Sequence, residues 1–263
     1  MTKDMRPIGV FDSGLGGVTM LACAMRELPC EKFIYLADLL HAPYGEKPIE
    51  EIRRLVDEAL EKLLKHDVKA LLVACNTATS VSGQNLKKRL SMPVVCMEPA
   101  AKKAVRTAGE RPIVVMATPA TLSLEKYHLL VDTLKEQGEF VSAACPGLAG
   151  MIDADADEAA IRDYLIKTMP EQTRHAGAIV LGCTHYLWIK DQLEALYPGV
   201  PLVDGHMGTL RQLRRLLEER NLLASHRASE GERVELLTTG DADALPAMRA
   251  KLNRLLENPV WNP

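Results

Sequence analysis

The chain has 263 residues, 47% of them apolar and 25% charged, enough for one large or two medium domains that each bury a core without disulfide or metal staples. Its 32 basic and 35 acidic side chains give a formal net charge of −3, which leaves no basic excess for nucleic acid or an anionic membrane. Residues 1–7 lack the apolar core of a signal peptide and no apolar run approaches the roughly 20 residues that span a bilayer, so the expected compartment is the cytoplasm.

A short, non-alternating apolar run at 8–11 reads as a strand buried on both faces of a mostly parallel sheet. It runs into Asp12-Ser13-Gly14-Leu15-Gly16-Gly17, a glycine-rich loop before a helical stripe of Val18, Leu21, Met25 and Leu28. Such a loop reads either as a cradle of backbone N–H groups for an anion or as a tight turn that permits close helix packing. It follows neither the dinucleotide nor the P-loop pattern, and Asp12 would repel a phosphate. A ligand with both a carboxylate and an ammonium group suits the cradle better.

A second strand is expected at 33–36 and a long amphipathic helix over 48–66, with Ile49, Ile52, Leu55, Val56, Ala59, Leu60, Leu63 and Leu64 on its stripe and Pro48 in its first turn. Further strands are expected at 70–74, 113–116 and 178–181, then a helix carrying Leu210, Leu213, Leu216 and Leu217. A last strand at 234–238 and a helix at 245–256 complete the chain. Strands alternating with helices imply crossover connections and a doubly wound α/β fold.

The chain repeats itself. Residues 7–13 resemble 112–118 at an offset of about 105. Leu71-Leu72-Val73-Ala74-Cys75-Asn76-Thr77 likewise resembles Ile179-Val180-Leu181-Gly182-Cys183-Thr184-His185 at about 108, and Pro93-Val94-Val95 matches Pro201-Leu202-Val203 at the same offset. The expected architecture is two pseudo-symmetric doubly wound parallel-sheet domains with the site in the cleft between them. The first takes 1–97 plus 208–263, with the tail folding back, and the second takes 98–207.

Six cysteines are too few for a disulfide framework in a chain of this length. Cys23, Cys30, Cys96 and Cys145 read as small buried hydrophobes. The repeat sets Cys75 and Cys183 apart, because pseudo-twofold symmetry would bring them to opposite walls of one cleft. Each follows a strand and opens a turn, where the positive end of a helix dipole stabilises thiolate. Inverting a carbon stereocentre by proton transfer needs a base on one face and an acid on the other, which a thiolate and a thiol supply in both directions without a cofactor. A competing reading makes Cys75, Cys183 and His185 ligands of zinc, although there is no Cys-x-x-Cys pair.

At these residues the chain resembles the glutamate racemases of the aspartate/glutamate racemase superfamily. The resemblance runs through Gly9 to Gly17, Ala42-Pro43-Tyr44-Gly45, Ala74 to Thr79, Glu98-Pro99-Ala100, Thr118 with Thr121, and Leu181 to Tyr186. It implies a two-domain enzyme that interconverts L- and D-glutamate for peptidoglycan synthesis, without cofactor or metal, as a homodimer. It further implies that Cys75 and Cys183 are the acid/base thiols, the first serving the D- and the second the L-enantiomer, with Asp12, His185 and Asp38 as assisting catalytic positions. The substrate-contacting positions it implies are Asp12, Ser13, Pro43, Tyr44, Gly45, Cys75, Asn76, Thr77, Thr118, Thr121, Cys183, Thr184 and His185.

Leu187 stands where the family has proline, Asp153 where it has glutamate, and Leu39-Leu40-His41 and Asp204-Gly205-His206 also depart from its pattern. A racemase for aspartate or another acidic amino acid, and a glutamate-binding regulatory relative with weak activity, are the alternatives.

Overall fold

The computed structural model describes residues 4–226 and 228–258; residues 1–3, 227 and 259–263, which belong to the expected first domain, lie outside the described residues. Two parallel sheets with helical crossovers organise the chain. The first half runs β1 (Ile8–Asp12), α1 (Val18–Glu27), β2 (Phe33–Ala37), α2 (Ile49–Leu64), β3 (Ala70–Val73), α3 (Asn76–Arg89) and β4 (Val94–Cys96). The second runs α4 (Ala101–Ala108), β5 (Ile113–Ala117), α5 (Pro119–Ser123), α6 (Glu125–Asp132), β6 (Phe140–Ala144), α7 (Leu148–Asp153), α8 (Glu158–Thr168), β7 (Ala178–Leu181), α9 (Lys190–Leu196) and β8 (Leu202–Val203). The chain then returns through α10 (His206–Glu219), β9 (Val234–Thr238) and α11 (Ala244–Glu257).

The first sheet has the order β4-β3-β1-β2-β9 and the second β6-β5-β7-β8, with every pairing parallel. Exchanging β1 to β4 for β5 to β8 converts the first four strands of one order into the other, as the sequence repeat anticipates, and β9 is an addition to the first sheet. In each sheet the chain reverses its direction of winding beside the first strand, opening a crevice at the carboxyl ends of β1 and β3 and of β5 and β7.

Alternation along the strands divides each core into two layers. Ala70, Leu72 and Ala74 join the apolar cluster of α1, α10 and α11, while Leu71, Val73 and Cys75 join that of α2 and α3. In the second sheet Ile179, Leu181 and Cys183 share a cluster with α7, α8 and α9, and Ala178 and Val180 lie on the other face. Burial on both faces is the reason these strands are continuous apolar runs.

Two local features differ from those expected of the sequence. Pro48 caps α2 with an extended ψ of 142° instead of standing in its first turn, because the residue just before the helix needs no helical dihedrals. Cys30 is only half-buried, since it lies in the turn between α1 and β2.

The returning tail is clamped by a buried ion pair. Lys69 Nζ lies 2.6 Å from Glu31 Oε2 and also donates to the carbonyls of Asp4 and Leu222, each at 2.7 Å. Glu31 Oε1 accepts the backbone N–H of Ala224 at 2.8 Å. One buried charge pair thus gathers four separated stretches of chain below the first sheet.

The two sheets are also joined side by side. The Gly45 carbonyl accepts from Ala120 N–H at 2.9 Å, and Glu46 Oε1 accepts from Gly147 N–H at 2.6 Å. Lys251 on α11 pairs with Asp155 at 2.7 Å and stands 5.5 Å over the Trp188 ring, a side chain packed against the cores of both sheets.

Candidate active site

The loops after β1, β3, β5 and β7 meet at one buried place. Asp12 ends β1, fully buried, and the glycines that follow allow the loop to fold tightly around it. A Cβ on Gly17 would lie 2.4 Å from Asp12 Cβ, and one on Gly16 would lie 2.5 Å from Thr184 Oγ1 and 2.7 Å from the His185 backbone nitrogen. Glycine at 16 is therefore a condition for the two halves to approach.

Asp12 Oδ1 accepts Gly14 N–H at 2.9 Å and its Oδ2 accepts the Thr184 hydroxyl at 3.1 Å, so the carboxylate ties the first sheet's loop to the second's. Burial pushes its pKa up to about 6, against the opposing pull of the His185 charge and these hydrogen bonds. Unfolded Asp12 ionises near 3.8 and folded Asp12 near 6, so its contribution to stability is complete below about pH 4 and lost as pH rises through 6. The Asp12→Asn variant is expected to escape this loss. Its stability relative to wild type should rise between pH 4 and 7 by roughly 3 kcal/mol in urea unfolding, and a difference that stays flat with pH would refute the shift.

Cys75 caps α3, and its Sγ accepts Ala78 N–H at 3.4 Å and lies 3.3 Å from Ser13 Oγ. The cap geometry is as expected but the net electrostatics are not. Burial first, and then the Asp12 carboxylate, push the Cys75 thiol up to about 12, outweighing the bonds from Ser13 and Ala78. In this buried setting Cys75 holds its proton.

Cys183 precedes a 3-10 helix, Thr184–Ile189, and is not capped by it. Its Sγ instead faces His185 Nδ1 at 3.5 Å. His185 Nε2 lies 3.0 Å from Asp153 Oδ2 and 3.2 Å from the Gly16 N–H. Although burial works against the charged ring, the Asp153 carboxylate and the Cys183 sulfur hold the His185 pKa well above its ordinary value. The imidazolium is thus placed to balance negative charge on Cys183.

The hydroxyls of Thr77, Thr118 and Thr121 form a triangle with sides of 3.0 to 3.3 Å that bridges the two sheets. Asn76 is 3% exposed, and neither its amide nitrogen nor its oxygen has a hydrogen-bond partner among the described residues. Burying an unpartnered amide costs free energy, and a polar ligand would recover it. Tyr44 is buried, Gly45 abuts Thr118, and Pro43 follows a cis peptide bond on the same loop.

Asp38 is positioned differently from the other predicted residues. It bonds His41 at 2.9 Å, the Tyr44 hydroxyl and the Thr239 hydroxyl, and is hydrogen-bonded to neither thiol. It reaches the site by fixing Tyr44. Asp153, which stands where the family has glutamate, meets His185. No spacing in the sequence links residues 32 apart on α7 and after β7; the packing of α7 on the 3-10 helix does. Leu187 is buried in the second core. Among the described residues no three His, Cys, Asp or Glu side chains converge as metal ligands.

Comparison with known proteins places this geometry among relatives. A family model described as Asp/Glu/Hydantoin racemase matches residues 20–213. A glutamate racemase of Clostridium perfringens (strain 13 / Type A) is 43% identical over 228 residues, covering 84% of this chain and 88% of that protein. The structure of Escherichia coli glutamate racemase with L-glutamate and the activator UDP-MurNAc-ala superposes with a TM-score of 0.81 at 26% identity, over 95% of each chain. That of the Francisella tularensis enzyme with D-glutamate superposes with a TM-score of 0.78 at 27% identity, over 98% of this chain and 96% of that one.

Proposed function

The chain belongs to the Asp/Glu/hydantoin racemase family and is an isomerase, and from that premise we propose that it interconverts L- and D-glutamate by proton transfer between Cys75, the α-carbon and Cys183. The observation that carries this reading is the pairing of the two thiols at equivalent strand ends of two related sheets. Cys75 stands beside Asp12 and Ser13, Cys183 beside His185, and each loop touches the other. One thiolate removes the α-hydrogen, breaking C–H as S–H forms. The opposite thiol gives its hydrogen to the other face of the flattened carbanion and is left as thiolate.

The local electrostatics suit this division. His185 balances charge where Cys183 acts as base, while Cys75 in its buried setting retains a proton to donate. Asp12 is placed to receive the substrate ammonium, which would lessen its repulsion of a thiolate at Cys75. Asn76, the threonine hydroxyls and the loop amides offer neutral donors for the carboxylates, consistent with the glutamate bound in the two racemase structures. The same reading takes the product to peptidoglycan synthesis in a reducing cytoplasm, which suits six unpaired cysteines. It also keeps the domain limits expected from the repeat and a homodimer, which sedimentation of the purified chain checks.

In deuterium oxide, either glutamate enantiomer is expected to gain deuterium at the α-carbon as optical activity decays to zero, with aspartate turning over far more slowly. NMR and circular dichroism follow both signals. Racemisation without α-deuterium, or no turnover of glutamate, would overturn the proposal.

A further inference from the structure

His206, at the first turn of α10, is fully buried and has no part in the proton transfers above. Its Nδ1 lies 3.0 Å from Asp204 Oδ1, which also accepts the His206 backbone N–H at 2.8 Å. Its Nε2 lies 3.0 Å from Thr19 Oγ1 on α1. The same Thr19 hydroxyl bonds the Gly16 carbonyl at 2.7 Å, so it links the His206 ring to residue 16. Burial works against the Asp204 carboxylate, but the bonds and charge of His206 hold it down at about 2. An ionised carboxylate only accepts, so Nδ1 carries the hydrogen of that bond. Held at one nitrogen by Asp204 and at the other by Thr19, the ring has a single orientation between α10 and α1.

Residue 16 meets the active site on its other side. The N–H of Gly16 points at His185 Nε2, the same nitrogen that faces Asp153. Nε2 accepts from Gly16 when it is bare and donates to Asp153 when it is protonated, so the placement of Gly16 biases where the His185 proton sits while Nδ1 faces Cys183. The Cys75 end of the loop has its own anchor, the Tyr35 hydroxyl donating to the Gly14 carbonyl at 2.8 Å.

We propose that Asp204, His206 and Thr19 form a chain of positioning residues that holds Gly16 against His185 and so tunes proton transfer at Cys183 but not at Cys75. This rests on the two-thiol reading.

Racemisation has an equilibrium constant of unity, so any variant lowers kcat/KM equally in both directions and the ratio cannot say which thiol is affected. Primary deuterium isotope effects on kcat/KM, measured with α-deuterated L- and D-glutamate, can. Thr19→Val removes the hydroxyl and keeps the shape; His206→Asn keeps a donor for Asp204 but cannot reach Thr19. Each is expected to lower kcat/KM about tenfold, short of the roughly 100-fold that a full ångström of misplacement costs. The isotope effect should rise with the enantiomer whose hydrogen Cys183 removes and fall toward unity with the other, and Thr19→Ser should restore both. Isotope effects that stay unchanged or move together in both variants overturn the proposal. If Thr19→Val fails to fold, His206→Asn and Thr19→Ser carry the test. Failure of the two-thiol reading itself would appear separately, as racemisation retained after either cysteine is replaced by alanine.

Discussion

Replacing Cys75 or Cys183 by alanine is expected to stop racemisation in both directions. A single positioned acid or base contributes about 10²–10⁴-fold to a proton transfer, and here each turnover uses one thiol as base and the other as acid. Loss of either blocks both enantiomers, since the carbanion can be formed but not inverted, or cannot be formed. Water is a poor substitute because the two thiols are only 5% and 8% exposed. The variants should remain folded. Alanine removes one atom from each site, and the lost cap at Cys75 costs about 1 kcal/mol. Circular dichroism at saturating L- and D-glutamate, with thermal unfolding beside it, measures both quantities. Two-way racemisation above a hundredth of the wild-type rate in Cys75→Ala would remove that thiol from the mechanism.

The largest effect on stability is expected from Lys69→Met. The side chain is fully buried, its ammonium pairs with Glu31 and donates to the carbonyls of Asp4 and Leu222, and Glu31 is 2% exposed. Removing the ammonium leaves a buried carboxylate without its counter-charge and two carbonyls without a donor. Breaking a buried pair in this way costs about 3–5 kcal/mol, on the order of 10 °C in Tm for a chain of this size. Changing Glu31 to leucine in the same molecule should recover a substantial part, because the uncompensated charge is then gone. It should not recover all, since the Ala224 N–H and the carbonyls remain unpaired. Urea unfolding of the two single variants and the double variant gives the coupling. Equal stability of Lys69→Met and wild type would show that the clamp contributes nothing to holding the tail.

The central strands were legible because burial on both faces leaves a plain mark in the sequence, as in the apolar runs at 8–11 and 178–181. The edge strands of the second sheet were not. β6 is exposed along much of its length and β8 has only two residues, so neither needs an apolar run. The equivalent positions of Cys75 and Cys183 after β3 and β7 were legible through the repeat, and the glycines at 16 and 17 through the loop they form. The electrostatics of that loop were not. A helix N-terminus lowers a thiol pKa, but Cys75 is also buried beside Asp12, and those opposing effects are larger.

By itself, then, the sequence determined the α/β class, the internal repeat and the two thiols, because each follows from residue type and spacing along the chain. Only the tertiary structure decided that Asp38 acts on Tyr44, that Asp153 pairs with His185, and that His206 reaches Thr19. Lys69 likewise gathers residues 4, 31 and 222 only in the folded chain. These are contacts between side chains on separate elements, and in a close-packed interior their partners are set by how helices and sheets seat on one another, which no local pattern encodes.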